Sequence, residues 1–257
     1  MISVLVPSMN SGAFVGRAIE SVLSQQLPDV ELVIQDGGSQ DATQEIVASY
    51  DDPRIRLVVE DDEGQADALN RALRRARGDW VMWLNADDEL APGSLAALTA
   101  KLNGSHDFVY GDFALIDARG SITKTYETPD FSFARVRARG SYIFSGAMLV
   151  RRDVFERVGG FDPRFSYCMD YEFLCRAARV VRPLYVRRVV AYLREHADTK
   201  TRRRPWGFWR ERWVIARAYG TPLWATILGQ AEFAGYLVTS PFRRSRFWRR
   251  LRPRKRL

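Results

Sequence analysis

Cysteine is nearly absent from this chain: Cys168 and Cys175 are the only two in 257 residues. Seven positions apart in a helical pattern, they fall on one face two turns apart, too far for a disulfide. Buried thiols in a reducing compartment are therefore expected. No secretory leader is expected either, because Met1 runs straight into Ile2-Ser3-Val4-Leu5-Val6 with no basic n-region and no long apolar h-region. The catalytic part is accordingly expected in the cytoplasm. Neither GxxxxGK[ST] nor GxGxxG occurs, so a nucleotide site here would be neither a P-loop nor a dinucleotide fold. Acid is missing from the C-terminus: Arg243 to Leu257 holds nine Lys or Arg and no Asp or Glu, so the net charge of +8 belongs to this tail and residues 1–242 sum to −1. No nucleic-acid motif accompanies the basic run, and nucleic acid is not an expected partner.

What is present is an alternation of short β-rich apolar runs and amphipathic helical patterns. Ile2–Val6, Val30–Ile34, Ile55–Val59 and Trp80–Leu84 read as strands. Between them, Phe14, Ala18, Ile19, Val22 and Leu23 form one helical stripe, Ala42, Ile46, Val47 and Tyr50 a second, and Ala66, Leu69, Leu73 and Ala76 a third. This order predicts an α/β fold with a mainly parallel sheet covered on both faces. Ligands bind such sheets outside the carboxyl ends of the strands. The segments there are small and polar: Pro7 to Gly12, Gln35 to Ser39, Glu60 to Gln65 and Asn85 to Asp88.

The run Trp80-Val81-Met82-Trp83-Leu84 ends in Asn85-Ala86-Asp87-Asp88. Adjacent carboxylates at the end of an apolar strand repel each other unless something cationic or hydrogen-bonding holds them. Mg²⁺ or Mn²⁺, which takes one or two carboxylates together with substrate phosphates, would do so. In Asp36-Gly37-Gly38-Ser39 the glycines let backbone approach a ligand while Asp36 offers a carboxylate to a base or ribose hydroxyl.

After residue 105 the pattern becomes mixed. Phe108–Asp112 and Ser145–Val150 read as strands and Arg152–Val158 as a short helix ended by Gly159-Gly160. A further helix begins near Cys168, with Cys168, Phe173 or Tyr171, Leu174 and Ala178 directed inward and Asp170 in its first turn. A carboxylate there is favoured by the helix dipole and is also well placed as a general base at a cleft. His106 sits in a polar turn and is expected to be solvated.

Eight ordered motifs then carry a resemblance: Val6 to Asn10, Asp36 to Asp41, Gly64 to Asn70, Gly78-Asp79-Trp80, Leu84 to Asp88, Ser145-Gly146-Ala147, Gly159 to Asp162 and Met169 to Glu172. Over residues 1–200 the chain resembles the family 2 glycosyltransferases. The resemblance implies a GT-A fold (a Rossmann-like, mainly parallel sheet flanked by helices), a nucleotide-sugar donor with UDP foremost, Mn²⁺ or Mg²⁺, and inversion at the anomeric carbon. It implies that Asp170 is the catalytic base. Donor binding is implied for Pro7, Ser8, Asn10, Asp36, Gly64, Asp67, Asn70, Asn85 and Asp87, and metal binding for Asp87, Asp88 and His196. Two departures stand out. Gly37 occupies a position where many relatives have a second Asp, and Asn85 replaces the first Asp of a strict DxD. The other reading of the same cleft is a catalytically inactive nucleotide-sugar-binding protein.

Residues 201–257 read as an amphipathic, polybasic appendage to the domain at 1–200. Five of the seven tryptophans lie between Trp206 and Trp248, and Trp206, Trp209, Trp213 and Ala216 form one helical face opposite Arg210, Arg212 and Arg217. From Tyr219 to Ser240 only Glu232 is charged, but Gln230, Glu232 and three glycines argue against a bilayer crossing. Helices lying on an anionic membrane surface are expected instead, with a glycan or lipid-linked acceptor held at the inner face of the membrane.

Overall fold

The structure is a computed structural model that describes residues 1–239 except 101 and 103; the polybasic stretch lies outside the described residues. Four βα units open the chain. Strand β1 (Ile2–Ser8) is followed by α1 (Val15–Leu23), β2 (Val30–Asp36) by α2 (Thr43–Ala48), β3 (Ile55–Val59) by α3 (Gln65–Arg75), and β4 (Trp80–Trp83) by the short β5 (Glu89–Leu90) and α4 (Ser94–Thr99). The second half contains β6 (Phe108–Ile116), β7 (Ile122–Tyr126), α5 (Phe133–Arg139), β8 (Met148–Arg151), α6 (Arg152–Val158), α7 (Met169–Ala177) and the long β9 (Pro183–Arg194). Three helices follow: α8 (Lys200–Arg203), α9 (Pro205–Ala218) and α10 (Leu223–Thr239).

The strands form one sheet in the order β3-β2-β1-β4-β8-β6-β9-β5, with β7 paired to β6. The first four are parallel, as the βα alternation predicts. β8 then runs antiparallel to both β4 and β6, and β5 runs antiparallel to β9. Period-2 alternation sends Leu5, Val33, Val81 and Trp83 to one face, where they meet Ala66, Leu69 and Ala72 of α3 and the aromatic side chains of α6 and α7. Val4, Val6, Leu32, Ile34, Met82 and Leu84 point to the other face and bury Val15, Ala18, Ile19 and Val22 of α1. Trp83 is fully buried, with Phe161 and Phe173 edge-on to it at centroid distances of 5.0 and 5.7 Å. That cluster fixes α7, and so Asp170, against the strand that leads to Asn85.

Three local expectations change. β1 runs on through Ser8 and β2 through Asp36, so Pro7, Ser8 and Asp36 are strand residues and not loop residues. Ser145–Ala147 is a 3₁₀ turn ahead of β8; Gly146 packs so closely there that a Cβ would lie 2.9 Å from both Leu84 and Phe144. Helix α7 is buried nearly all round, with Met169, Tyr171, Phe173, Leu174, Cys175 and Ala177 all inside. Because helices on both sides cover it, no single inward stripe was there to be read. Cys168 and Cys175 are buried free thiols.

Candidate active site

The carboxyl ends of β1 to β4 and the turn after β9 converge on one rim. Asp88 is fully buried: its Oδ1 accepts the Arg194 backbone N–H at 2.8 Å and its Oδ2 accepts the Asn85 side-chain amide at 2.7 Å. Burial, reinforced by the charge of Asp87, pushes its carboxyl well above the usual carboxylate range. Asp87 is different. Its side chain is 30% exposed, and its Oδ2 meets His196 Nε2 at 2.9 Å. Of the three residues expected at the metal, Asp87 and His196 thus face each other at the open rim, while Asp88 is spent on the scaffold.

Arg194, the last residue of β9, organises this turn. Its buried guanidinium donates to the carbonyls of Asp87 (2.8 Å) and Asp117 (3.0 Å) and pairs with Glu89. Its place two residues before His196, at the end of a mostly apolar strand, was the available signal for its role. A second chain of bonds crosses the cleft: Lys200 Nζ donates to Gln65 Oε1 (2.9 Å), Gln65 Nε2 to Asn85 Oδ1 (2.7 Å), and Asn85 Nδ2 to Asp88. Gln65 opens α3 directly after Gly64, whose φ of +117° favours glycine. The segment 196–200 therefore touches the β4 rim at both of its ends.

Several residues expected to line the donor pocket have their polar groups committed elsewhere. Asp36 is fully buried and accepts from Gly38 N (3.1 Å), Ser39 N (2.7 Å), Ser39 Oγ (2.6 Å) and Gln44 Nε2 (3.1 Å), which shapes the Gly-Gly-Ser turn. Asn10, at a φ of +50°, joins the first loop to the second: its N–H donates to Ser39 Oγ and its Oδ1 accepts from Gln40 N. Asp67 accepts from Glu63 N and pairs with Arg71 one helical turn on. The Asn70 amide gives both ends to Phe161, accepting its N–H at 2.8 Å and donating to its carbonyl at 2.7 Å; a Cβ on Gly160 would strike this amide at 2.3 Å. Asn70 therefore clamps the Gly159-Gly160-Phe161 turn.

Asp170 is largely buried in the first turn of α7, accepting the Tyr171 N–H at 2.8 Å, with Ser141 nearby. Burial raises its carboxyl above the ordinary range, opposed in part by hydrogen bonding and by nearby Arg212. The loop that leads into it is held from α9, where Glu211 accepts the backbone N–H groups of Ser166, Tyr167 and Cys168 at 2.8 to 2.9 Å. Nothing in the Trp- and Arg-rich sequence of α9 singled out that acid. His106 is half-buried, with Nδ1 shielded and without a partner among the described residues, which replaces the solvated state expected of it.

Comparisons with known proteins identify the family to which this sheet and rim belong. The profile described as Glycosyl transferase family 2 matches residues 3–159. A PGL/p-HBAD biosynthesis glycosyltransferase of Mycobacterium bovis is 32% identical over 183 residues, covering 68% of this chain and 69% of that protein. Among solved structures, S. aureus TarS with UDP-GlcNAc superimposes with a TM-score of 0.64 at 19% identity over 76% of this chain; the match spans 58% of the TarS chain. The mannosyltransferase PcManGT of Pyrobaculum calidifontis, in complex with GDP-Man and Mn²⁺, gives a TM-score of 0.61 at 21% identity, covering 93% of this chain and 75% of that one. The chain belongs to glycosyl transferase family 2 and is a glycosyltransferase.

The buried tie at Arg194 yields a stability prediction. Arg194→Ala would leave Glu89 and two carbonyls without their donor, so urea denaturation is expected to show a loss of about 3–5 kcal/mol. Asp88→Asn, which keeps shape and one acceptor, is expected to cost about 1–3 kcal/mol. Equal, negligible shifts of the two midpoints would mean that this turn is held by something else.

Proposed function

We propose that the enzyme transfers a sugar, with inversion, from a nucleoside-diphosphate donor to a hydroxyl of a glycan or lipid-linked acceptor. The observation that carries this reading is the contrast within the doublet: Asp88 buried and saturated, Asp87 open and facing His196. Among the described residues no group of three or more His, Cys, Asp or Glu forms a metal cage. A pair fits Mn²⁺ or Mg²⁺ better than a cage would, since these ions fill their shell with substrate phosphate oxygens and water. Asp87 and His196 would hold the ion, which when bound neutralises the negative charge that builds on the leaving diphosphate. UDP is the first candidate for the nucleotide, given the UDP-GlcNAc held by TarS. Lys200, bonded to Gln65 at the same cleft, adds a cation on the leaving-group side.

Asp170 is the acid we assign as base. It would take the proton of the acceptor hydroxyl while that oxygen attacks the anomeric carbon on the face opposite the departing diphosphate. A carboxyl raised by burial holds a proton more tightly than a free one, which suits this task. Turnover with Asp170→Asn is expected to fall about 10²–10⁴-fold with donor affinity nearly unchanged. The sign of the pH effect follows from the shift. The neutral acid persists to a higher pH than in a free carboxyl, so kcat/KM should fall as pH drops through a midpoint above that of an ordinary aspartate and level off above it. A large loss of donor affinity in the variant, with turnover intact, would make Asp170 a pocket residue.

The metal assignment has its own test. Nucleoside-diphosphate binding, followed by calorimetry, is expected to need Mn²⁺ or Mg²⁺ and to be lost in Asp87→Asn and in His196→Ala with the fold intact. Full affinity in excess chelator would remove the metal from the mechanism.

The acceptor side points to a cytoplasmic enzyme bound peripherally to the inner face of a membrane. No helix among the described residues is long and apolar enough to cross a bilayer. α9 turns Phe208, Glu211, Arg212 and Ile215 toward the domain, with Ile215 entering the core and Arg212 donating to the carbonyls of Arg139 and Gly229. Ala216, grouped with the tryptophans in the sequence, is buried instead, while Arg212 is used to satisfy backbone carbonyls. The outward side shows Trp206 (82% exposed) and Trp213, continued on α10 by Trp224 (70%), Ile227 and Leu228. Exposed tryptophans in a chain that also carries nine basic residues between Arg243 and Leu257 supply the pair of signals that stable yet salt-sensitive attachment requires. Sedimentation with vesicles is expected to show binding to phosphatidylglycerol-containing but not pure phosphatidylcholine membranes, weakened by salt and about tenfold or more by Trp206→Ser with Trp224→Ser. No preference for the anionic vesicles at low salt would overturn it.

A further inference from the structure

Helices α9 and α10 are pinned together along one seam, where Gln230 Nε2 donates to the Trp209 carbonyl and Arg212 to the Gly229 carbonyl, both at 3.1 Å. On the side away from Arg212 they leave a cavity of about 560 Å³ with an almost wholly apolar wall, built from Trp206, Trp209, Trp213 and Ile227. Small-molecule sites run to about 300–1,000 Å³, so this one is large enough to hold a ligand. Two polar groups interrupt the wall. Arg210 is exposed, with no carboxylate paired to it among the described residues. Gln230 is only 7% exposed, yet its Oε1 has no donor among the described residues. One follows Trp209 in sequence and the other is bonded to it, so both stand at the same level of the groove. The catalytic rim uses neither.

Resting on the reading of a lipid-linked acceptor at a membrane surface, we infer that this groove seats the acceptor's single hydrocarbon chain, with Arg210 on its phosphate head and Gln230 on a hydroxyl beside that phosphate. The wall decides against other ligands by what it lacks. A peptide or a free sugar would bring many donors and acceptors into a space that offers one cation and one amide oxygen. A hydrocarbon chain brings none and gains by leaving water. An anionic head meets the unpaired guanidinium through charge-assisted hydrogen bonds, and a hydroxyl supplies the donor that the buried Gln230 oxygen lacks. Because the helices are pinned on one side, the groove opens on the other alone, which suits one chain and not the two of a bilayer phospholipid. The placement also serves the reaction. The opposite face of α9 carries Glu211, which holds the backbone ahead of Asp170, so the chain and that loop lie on two sides of one helix, about 10–12 Å across.

The test titrates amphiphiles, kept below their micelle concentrations, into the full chain and follows binding by calorimetry and tryptophan fluorescence. The probes are dodecyl phosphate, dodecanoyl lysophosphatidic acid, which adds a hydroxyl beside the phosphate, dodecanol, inorganic phosphate, and dihexanoyl phosphatidylglycerol as the two-chain control. Lysophosphatidic acid is expected to bind tightest and dodecyl phosphate next, with dodecanol, inorganic phosphate and the two-chain lipid each about tenfold or more weaker than dodecyl phosphate. Arg210→Ala should bring dodecyl phosphate down to the level of dodecanol. Gln230→Leu should remove only the advantage of lysophosphatidic acid over dodecyl phosphate. Ala231→Trp, at an exposed position of the groove, should weaken every single-chain probe about tenfold or more with the urea midpoint unchanged. Equal affinity for the two-chain lipid would give the groove to bulk membrane lipid, and no binding of any probe is the result expected if residues 240–257 of the chain itself fill it. Either result, or full affinity in Ala231→Trp, overturns the inference. Vesicle binding without chain binding would sink the groove and leave the membrane reading; chain binding without a preference for anionic vesicles would do the reverse.

Discussion

Everything at this rim depends on the buried tie between the end of β9 and the turn after β4. Two adjacent carboxylates at the mouth of an apolar strand are costly to bury, and an isolated guanidinium is too. Here each offsets the other. The Arg194 N–H serves Asp88, while its guanidinium serves the Asp87 carbonyl and Glu89, residues more than a hundred positions away. The antiparallel pairing of Glu89 with Tyr192 and Leu90 with Ala191 sets that register. Two residues further on, the chain delivers His196 to Asp87. The open pair follows from strand pairing and needs no separate device to hold it.

Much of this was legible in the sequence, because it rests on periodicity. The four parallel strands, the three helices between them, and the placement of Asp36, Gly64 and Asp87 along one rim follow from period-2 and period-3.6 apolar patterns and from where those patterns stop. What periodicity does not encode is how each polar atom is spent. Asn70 and Asp67 lie in a motif that the resemblance ties to the donor, yet their side chains hold the Phe161 turn and Arg71. Asp87 and Asp88 are chemically alike on paper and opposite in the fold. Only the long-range partner, Arg194, separates them.

Helix α9 was legible in part, for a related reason. Apolar content placed its tryptophans opposite its arginines and pointed the aromatic side at a membrane surface, but it does not encode what the other side gives the domain. That side is taken up by polar groups: Arg212 donates to the carbonyls of Arg139 and, on α10, of Gly229, and Glu211 accepts three N–H groups ahead of α7. The aromatic side is left outward. The helix thus has two jobs, one on each face, and the face that touches the catalytic domain supports the loop that carries Asp170.

The acids of the rim fall into two populations once their acceptor capacity is counted. A carboxylate has about four lone-pair sites. Asp36 and Asp88 have both oxygens engaged by groups of the protein and are fully buried, so they act as struts for the turns that carry them. Asp87, Asp62 and Asp170 each retain an oxygen that the scaffold leaves less than fully engaged, and each sits on a different element: the β4 turn, the β3 loop and the first turn of α7. Spreading such acids over separate elements keeps their mutual repulsion low without a ligand.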